Sequence, residues 1–190
     1  TRLRLGLSML DGEDTDAIMR DVDDMQELLD GFLDFARNDA LDGLEPCMPR
    51  EILDAAVSDA ARGGQSVTLG PVTGPDQDVT MRPMAVRRAL DNLIGNALRY
   101  GTKAEVCLDV TDRTVRFTVE DDGPGIPATS REAAMSPFVR LDPSRNQDKG
   151  TGVGLGLSIV ADIARNHGGL LRLGDSARLG GLKAELVLAR

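Results

Sequence analysis

The sequence has little of what builds a disulfide framework, a metal centre or a membrane span. Its two cysteines, Cys47 and Cys107, are far apart and show no metal-ligand spacing. This usage fits a reducing compartment and excludes a disulfide-stapled scaffold. No signal peptide is recognisable, and no apolar run is long enough to cross a bilayer. If the parent protein is membrane-bound, we expect its anchor to lie outside this chain.

Positive charge is outnumbered by negative charge. The chain has 22 Lys and Arg residues against 31 Asp and Glu residues, which gives a formal net charge of −9 at neutral pH. This balance argues against nucleic acid or an anionic membrane as a non-specific partner. The length of 190 residues suits one ordinary domain plus an appendage, with enough apolar content for a core.

Residues 1–42 form the predicted appendage, because the sequence pattern changes between Asn38 and Pro46. We expect two helical segments here, separated by a break at residues 11–12. Apolar side chains of the second segment recur at three- and four-residue steps as one stripe: Ile18, Val22, Met25, Leu29, Phe32, Leu33 and Ala36. Two such helices cannot bury their stripes alone, so a dimeric bundle completes them. The alternative is a helical hairpin that packs on its own domain.

Residues 43–190 form the predicted main domain, which is of the α+β class. Apolar periodicity predicts helices over residues 49–62 and 83–100, and a last helix that ends at residues 167–169. Strand patterns are present at residues 67–69, 79–81, 104–110, 114–120, 170–173 and 182–188. The economical arrangement is one mixed sheet covered on one face by helices.

Two glycine-containing segments point to a nucleotide. The segment Asp-Asp-Gly-Pro-Gly-Ile-Pro at residues 121–127 ends a strand-like run with a carboxylate. The segment Gly-Thr-Gly-Val-Gly-Leu-Gly-Leu at residues 150–157 leads directly into the last helix. Glycines before a helix leave backbone N–H groups uncovered, and these groups attract phosphate together with the helix dipole. A carboxylate at one end and a phosphate cradle at the other outline a nucleotide site.

The helix over residues 83–100 carries a second polar constellation. Opposite its apolar stripe lies a face made of Arg88, Asn92, Asn96 and Arg99. Asn is a mediocre helix former, so two Asn residues one turn apart need a reason. An amide carbonyl is a hard oxygen ligand that suits Mg²⁺. The alternative interpretation is a plain solvated face.

Taken together, these segments resemble the motifs of sensor histidine kinases. Residues 92–100 (Asn-Leu-Ile-Gly-Asn-Ala-Leu-Arg-Tyr) resemble the N box, and residues 121–125 resemble the first glycine box. Residues 137–140 (Pro-Phe-Val-Arg) resemble the F box, and residues 152–157 resemble the second glycine box. Order and spacing also match. Further upstream, residues 1–5 and 30–37 resemble the dimerisation helices of kinases of the osmosensor type. The resemblance covers nearly the whole chain.

The resemblance implies a Bergerat-type α/β sandwich that binds ATP and Mg²⁺, preceded by a helical hairpin that forms a homodimer. Asn96 would ligate Mg²⁺, and Asn92 would support the metal and the phosphates. Asp121 would accept the adenine amino hydrogen, a contact that selects adenine over guanine. The further residues implied in nucleotide binding are Arg99, Tyr100, Gly123, Gly125, Ile126, Phe138, Arg140, Leu141, Gly152, Val153, Gly154, Leu155, Gly156 and Leu157.

Several of these residues have implied roles of their own. Gly123 and Gly125 would let the backbone approach the adenine ring, and Tyr100 would pack near it. Arg99 and Arg140 would face phosphate oxygens.

The second glycine box and the F box have implied roles as well. Gly152, Gly154 and Gly156 would supply amides to the phosphates. The polar stretch at residues 141–149 would form a lid that Phe138 gates; the alternative for Phe138 is an ordinary core position.

The sequence departs from the family pattern at two places. Val153 stands where many members have Thr, which removes a hydroxyl contact from the lid while backbone contacts remain. The box His-Asp/Glu-x-x-Thr/Asn-Pro, which carries the phosphoacceptor in this family, is absent. The only histidine, His167, lies at a predicted helix C-terminus, where a cation suits the helix dipole. We therefore interpret His167 as a cap and expect the chain to begin about two helical turns beyond the missing acceptor.

The resemblance predicts the catalytic core of a two-component kinase. Its parent would transfer the ATP γ-phosphoryl group to a histidine and then to an aspartate of a response-regulator receiver domain. This core would be the cytoplasmic portion of an inner-membrane sensor. Two alternatives stay open: a serine kinase of the anti-sigma type from the same superfamily, and a non-catalytic nucleotide-binding scaffold that sequesters a regulator.

Overall fold

The computed structural model describes residue 22, residues 43–139 and residues 154–190. The predicted appendage at residues 1–42 thus lies outside the described residues, Val22 apart. Four of the predicted nucleotide contacts also lie outside them: Arg140, Leu141, Gly152 and Val153. Nothing in the described part is a helix both long enough and apolar enough to span a membrane.

Two long helices begin where proline predicts them. Helix α1 is Pro49–Arg62 and helix α2 is Pro83–Tyr100. Proline suits the first turn because its missing N–H is one that a helix leaves without an intrahelical partner. The residues before the two prolines, Met48 and Arg82, are extended, as the proline ring requires of its predecessor. A short 3₁₀ turn (Ala128–Ser130) and helix α3 (Arg131–Ala134) follow, and helix α4 is Gly156–Asn166.

The strands are β1 (Glu45–Cys47), β2 (Val67–Thr73), β3 (Val79–Met81), β4 (Ala104–Val110), β5 (Thr114–Asp121), β6 (Leu170–Asp175) and β7 (Leu182–Ala189). Five of them form one sheet in the order β2-β4-β5-β7-β6. β2 and β4 are parallel, and the other neighbours are antiparallel. The sheet is therefore mixed, as predicted.

Two strand predictions were wrong in detail. Residues 79–81 do not join the main sheet, because they pair antiparallel with β1, a strand that we did not predict. β2 is also longer than the predicted residues 67–69, and it continues through Gly70 and Pro71. A register shift between Leu69 and Val72 accommodates these two residues at the sheet edge, where proline is tolerated.

The helices cover one face of the main sheet. Side chains of β4 alternate between buried and half-buried, so that Val106 and Leu108 point into the core while Glu105 and Cys107 lie on the other face. Phe117 of β5 and Leu90 of α2 have 0% exposure and belong to the same core. Complete burial of such a side chain contributes about 1.5–3 kcal/mol. This packing fixes the position of α2, α4 and the ends of β5 and β7, which carry the candidate site.

Candidate functional site

Asp121 lies at the end of β5, where the backbone holds its carboxylate from two sides. One carboxylate oxygen, Oδ1, accepts hydrogen bonds from the backbone N–H groups of Gly123 at 2.8 Å and of Leu182 at 3.0 Å. The backbone carbonyl of Asp121 accepts a third bond from Gly181 at 3.0 Å. No donor among residues 43–139 and 154–190 reaches the second oxygen, Oδ2. The carboxylate is thus oriented by one oxygen and keeps acceptor capacity on the other.

Asp121 is only 5% exposed, and this burial raises the pKa of its carboxyl group. The two backbone hydrogen bonds, from Leu182 and Gly123, act in the opposite direction, and the negative charge of Asp122 raises the pKa further. The pKa of this carboxyl group is therefore raised above the ordinary value of an aspartate, and the group lies in a poorly hydrated place.

Asp122 has a different function from its neighbour. Its carboxylate accepts hydrogen bonds from the backbone N–H of Thr102 at 2.7 Å, the hydroxyl of Thr102 at 2.5 Å and the backbone N–H of Lys103 at 3.0 Å. These bonds lower the pKa of Asp122 to about 2. The side chain ties the chain just after α2 to the end of β5. Sequence reasoning did not assign this role, because nothing in the sequence pairs Asp122 with residues twenty positions earlier.

The polar face of α2 meets the first residue of α4. Asn92 donates through Nδ2 to the carbonyl of Arg88 at 2.9 Å, and its Oδ1 faces Gly156. A methyl group on Gly156 would lie 3.2 Å from that oxygen and 3.1 Å from Nδ2 of Asn96. Both amide side chains therefore lie against the N-terminus of α4. The structure brings together the two Asn residues and the phosphate-attracting end of a helix.

The base-reading and phosphate-binding candidates follow one another along α2. Tyr100 is the last residue of α2, and its carbonyl oxygen is 3.0 Å from where a methyl group on Gly123 would lie. Asn96 lies one turn earlier, a rise of about 6 Å, and Asn92 one turn earlier again. Tyr100 is 52% exposed and Arg99 is half-buried. The candidates are thus arranged in a line from the end of β5 to the start of α4.

The remaining predicted contacts that the structure describes, Phe138 apart, are two glycines, two leucines and Ile126. Gly125 has φ 69° and Gly154 has φ 76°, backbone conformations that glycine adopts without strain. Leu155 and Leu157 are half-buried against the core, so their side chains serve packing. The carbonyl of Ile126 accepts a hydrogen bond from Arg131 Nε at 3.0 Å, and Arg131 also pairs with Asp175 at 2.6 Å. Arg131 therefore anchors the loop after Gly125, a role that no sequence motif indicated.

Phe138 is not a core residue. It is 65% exposed and has φ 64°, the one positive φ among non-glycine residues that the structure describes. Its backbone N–H donates to the carbonyl of Gly154 at 3.1 Å. The alternative of an ordinary core position is thus excluded. Phe138 instead contacts Gly154, which lies two residues before the start of α4.

His167 caps α4 as predicted, but the reason we gave, a positive charge, is wrong. Its Nδ1 lies 2.7 Å from the carbonyl of Ile163, to which it donates, while Nε2 accepts a hydrogen bond from the backbone N–H of Arg82 at 3.1 Å. A ring that accepts at Nε2 carries no proton there, so this imidazole is neutral. His167 thus joins the end of α4 to the residue before α2. Both ring nitrogens are engaged.

Comparison with known proteins places the chain in a family. Residues 81–189 match the family model described as "Histidine kinase-, DNA gyrase B-, and HSP90-like ATPase". The sensor histidine kinase CpxA of Escherichia coli strain K12 is 34% identical over 99% of this chain, and the sensor protein RstB of the same strain is 38% identical over 96%. The chain spans 43% of CpxA and 43% of RstB, less than half of either relative.

Solved structures give the same result. The ATP binding domain of PrrB from Mycobacterium tuberculosis superposes with a TM-score of 0.63 at 30% identity, covering 78% of this chain and 98% of that domain. The histidine kinase domain of the E. coli osmosensor EnvZ superposes with a TM-score of 0.58 at 33% identity, covering 77% of this chain and 89% of that domain. The chain therefore belongs to the family of histidine kinase-, DNA gyrase B- and HSP90-like ATPases.

Proposed function

We propose that this chain is the ATP-binding catalytic core of a two-component sensor histidine kinase. The observation that carries the proposal is the line of groups along α2, with a buried carboxylate at one end and two Asn amides against a helix N-terminus at the other. This order matches the order of base and phosphates in a nucleotide. The relatives named as sensor histidine kinases support the same assignment.

Asp121 is proposed to read the base. Its second carboxylate oxygen accepts the exocyclic amino hydrogen of adenine, while its first oxygen stays bonded to Gly123 and Leu182. Guanine presents a carbonyl oxygen where adenine presents the amino group, so two acceptors would face each other. The carboxylate therefore favours ATP over GTP.

Asn92 and Asn96 are proposed to hold the metal and the phosphates. Among the residues that the structure describes, no three His, Cys, Asp or Glu side chains gather where they could hold a cation. The ligand atoms available at this place are neutral amide oxygens, which would hold Mg²⁺ together with phosphate oxygens and water. When bound, the ion would supply neutralisation of the charge on the transferring phosphoryl group. Arg99, the first-turn amides of α4 and the predicted contacts Arg140, Gly152 and Val153 complete the phosphate side of the proposal.

Phosphoryl transfer requires little covalent chemistry from the protein. In phosphoryl transfer, catalysis is mainly positioning and electrostatic stabilisation, so α2 and α4 act by fixing the nucleotide relative to an acceptor. We propose that this acceptor is a histidine of the full-length protein, and that the phosphoryl group passes on to an aspartate of a response-regulator receiver domain. Residues 1–42 are proposed to form the homodimer, and the parent protein is proposed to be an inner-membrane sensor with this part in the cytoplasm.

Labelled ATP tests the proposal. The chain should bind Mg-ATP but gain no stoichiometric phosphate, because both nitrogens of its single histidine are engaged. Adding a dimerisation-helix peptide that contains the His box should produce acid-labile, base-stable phosphate on that peptide, which mass spectrometry locates. Phosphate on a serine would support the anti-sigma type instead. ATP binding without any transfer would support the scaffold, and stoichiometric label on His167 would contradict the proposal.

The two adjacent aspartates predict a particular response to acid. ATP affinity should fall as the pH drops through the raised pKa of Asp121, because the protonated carboxyl loses its charge. The hydrogen bonds of the Asp122 carboxylate stabilise the fold fully above the ordinary aspartate pKa. This stabilisation is lost only as the pH falls toward the lowered pKa of Asp122, which is about 2. Binding should therefore weaken before the fold does. Titrations and thermal melts from about pH 7 to pH 4 measure both effects.

The nucleotide also titrates in this range, so the control is Asp121→Asn, which cannot lose a charge. The ratio of wild-type to variant affinity should decline with acidification. A ratio that stays constant would contradict the role of the carboxylate.

A further inference from the structure

The turn between β6 and β7, residues 176–181, lies directly against Asp121. The N–H of Gly181 donates to the Asp121 carbonyl at 3.0 Å, and the N–H of the next residue, Leu182, donates to Oδ1 at 3.0 Å. The consecutive N–H groups at the end of this turn and the start of β7 thus hold both the main chain and the side chain of Asp121. No motif of the sequence analysis included this turn.

Gly181 has no room for a side chain. It is buried, and a methyl group there would lie 2.5 Å from the carbonyl oxygen of Asp121, 2.5 Å from the backbone nitrogen of Gly123, and even closer to Asp121 Oδ1. Real Cβ atoms essentially never approach other heavy atoms to under 3.0 Å. The φ of Gly181 lies outside the left-handed region, so space rather than backbone conformation demands glycine here.

The turn between β6 and β7 is itself held in place by side-chain hydrogen bonds. The hydroxyl of Ser176 donates to Glu120 at 2.5 Å and accepts from the N–H of Leu179 at 2.9 Å. Ser176 is 4% exposed and Glu120 is 7% exposed, so this anchor is buried. Arg178 adds a second attachment through a hydrogen bond from Nη2 to Glu105 at 3.1 Å. A side chain at position 181 would therefore push on Asp121 and Gly123 more readily than it would move the turn.

We propose that Gly181 is a specificity-determining positioning residue for the base-reading carboxylate. It does not touch the nucleotide; its missing side chain lets the turn set the direction in which Asp121 Oδ2 points. This inference rests on the proposed function of Asp121 as the reader of adenine. It predicts that the turn between β6 and β7 controls selectivity for the base and leaves the metal-dependent part of binding alone, because Asn92 and Asn96 lie at the other end of the site.

Gly181→Ala tests the inference, with Gly174→Ala in β6 as the matched control. Position 174 has no atom within 4 Å of an added methyl group and no positive φ. Calorimetric titration with ATP and with GTP should show about tenfold weaker ATP binding for Gly181→Ala and a smaller ATP-to-GTP ratio, as expected for a disturbed charged hydrogen bond. The increase in ATP affinity on adding Mg²⁺ should keep its wild-type size. The control should behave as wild type in all three measurements.

Thermal melts check that Gly181→Ala folds. If it does not, Ser176→Ala replaces it, since that change frees the turn from Glu120 and should lower the ATP-to-GTP ratio by a smaller factor. If folded Gly181→Ala keeps the wild-type ratio of ATP to GTP affinity, the inference is overturned and the proposed function still stands. If Gly181→Ala does not fold, the same outcome in Ser176→Ala has the same meaning. Failure of the unmodified chain to bind ATP would remove the proposed function and the inference with it.

Discussion

Replacing Asp121 with Asn should cost about 1.5–3 kcal/mol of ATP binding free energy, a loss of roughly 10- to 150-fold in affinity. The carboxylate oxygen that no described residue satisfies is the one proposed to accept the adenine amino hydrogen, and Asn replaces a charged acceptor with a neutral amide. Calorimetric titration of the variant with ATP gives the loss directly.

The matched control is Asp112→Asn, which removes one negative charge from the turn at the opposite end of β5. This variant should bind ATP with unchanged affinity. The unmodified chain should bind ATP more tightly than GTP, whereas Asp121→Asn should narrow that difference. Equal binding of the two nucleotides by the unmodified chain would show that Asp121 does not read the base.

The second large effect concerns Asn96. Asn96→Ala should reduce phosphoryl transfer to a His-box peptide by about a hundredfold, at the upper end of what loss of a metal-site partner costs. The same change should weaken Mg-ATP binding far more than metal-free ATP binding, because it removes an oxygen ligand and leaves the base site intact. Parallel titrations with Mg²⁺ and with a chelator separate the two contributions.

Gly95→Ala is the matched control for Asn96→Ala. Position 95 is on the exposed side of the same helix, has no atom within 4 Å of an added methyl group, and gains helix propensity from alanine. It should retain both transfer and metal dependence. If Asn96→Ala loses Mg-ATP and metal-free ATP binding equally, Asn96 is a packing residue and the solvated-face interpretation of α2 regains support.

The sequence predicted the elements that depend on local chemistry. Helix α2 runs over the predicted residues 83–100, because proline marks its start and the apolar stripe of Val86, Leu90 and Leu93 continues to its last turn. The hairpin of β4 and β5 followed from strict alternation around a polar turn. These features are determined by residues close together in the chain, so periodicity and turn chemistry find them.

The contacts that hold the site in place are of another kind. The bond from Arg82 to His167 joins residues 85 positions apart, and the bond from Leu182 to Asp121 joins residues 61 positions apart. No periodic pattern encodes such pairs, since they arise only when the sheet order β5-β7-β6 brings distant segments together. The same holds for β1, whose three residues include a proline and become a strand only because β3 is there to pair with them.

The contact of His167 with Arg82 has a mechanical consequence. Helix α4 meets α2 at both of its ends: Gly156 lies against Asn92 and Asn96, and His167 is bonded to the residue before α2. The two helices therefore run antiparallel and are pinned to each other at two points. Sliding one helix along the other would break the hydrogen bond between His167 and Arg82. The two helices therefore move together, so the distance between the residues proposed to bind the base and those proposed to bind the phosphates stays constant.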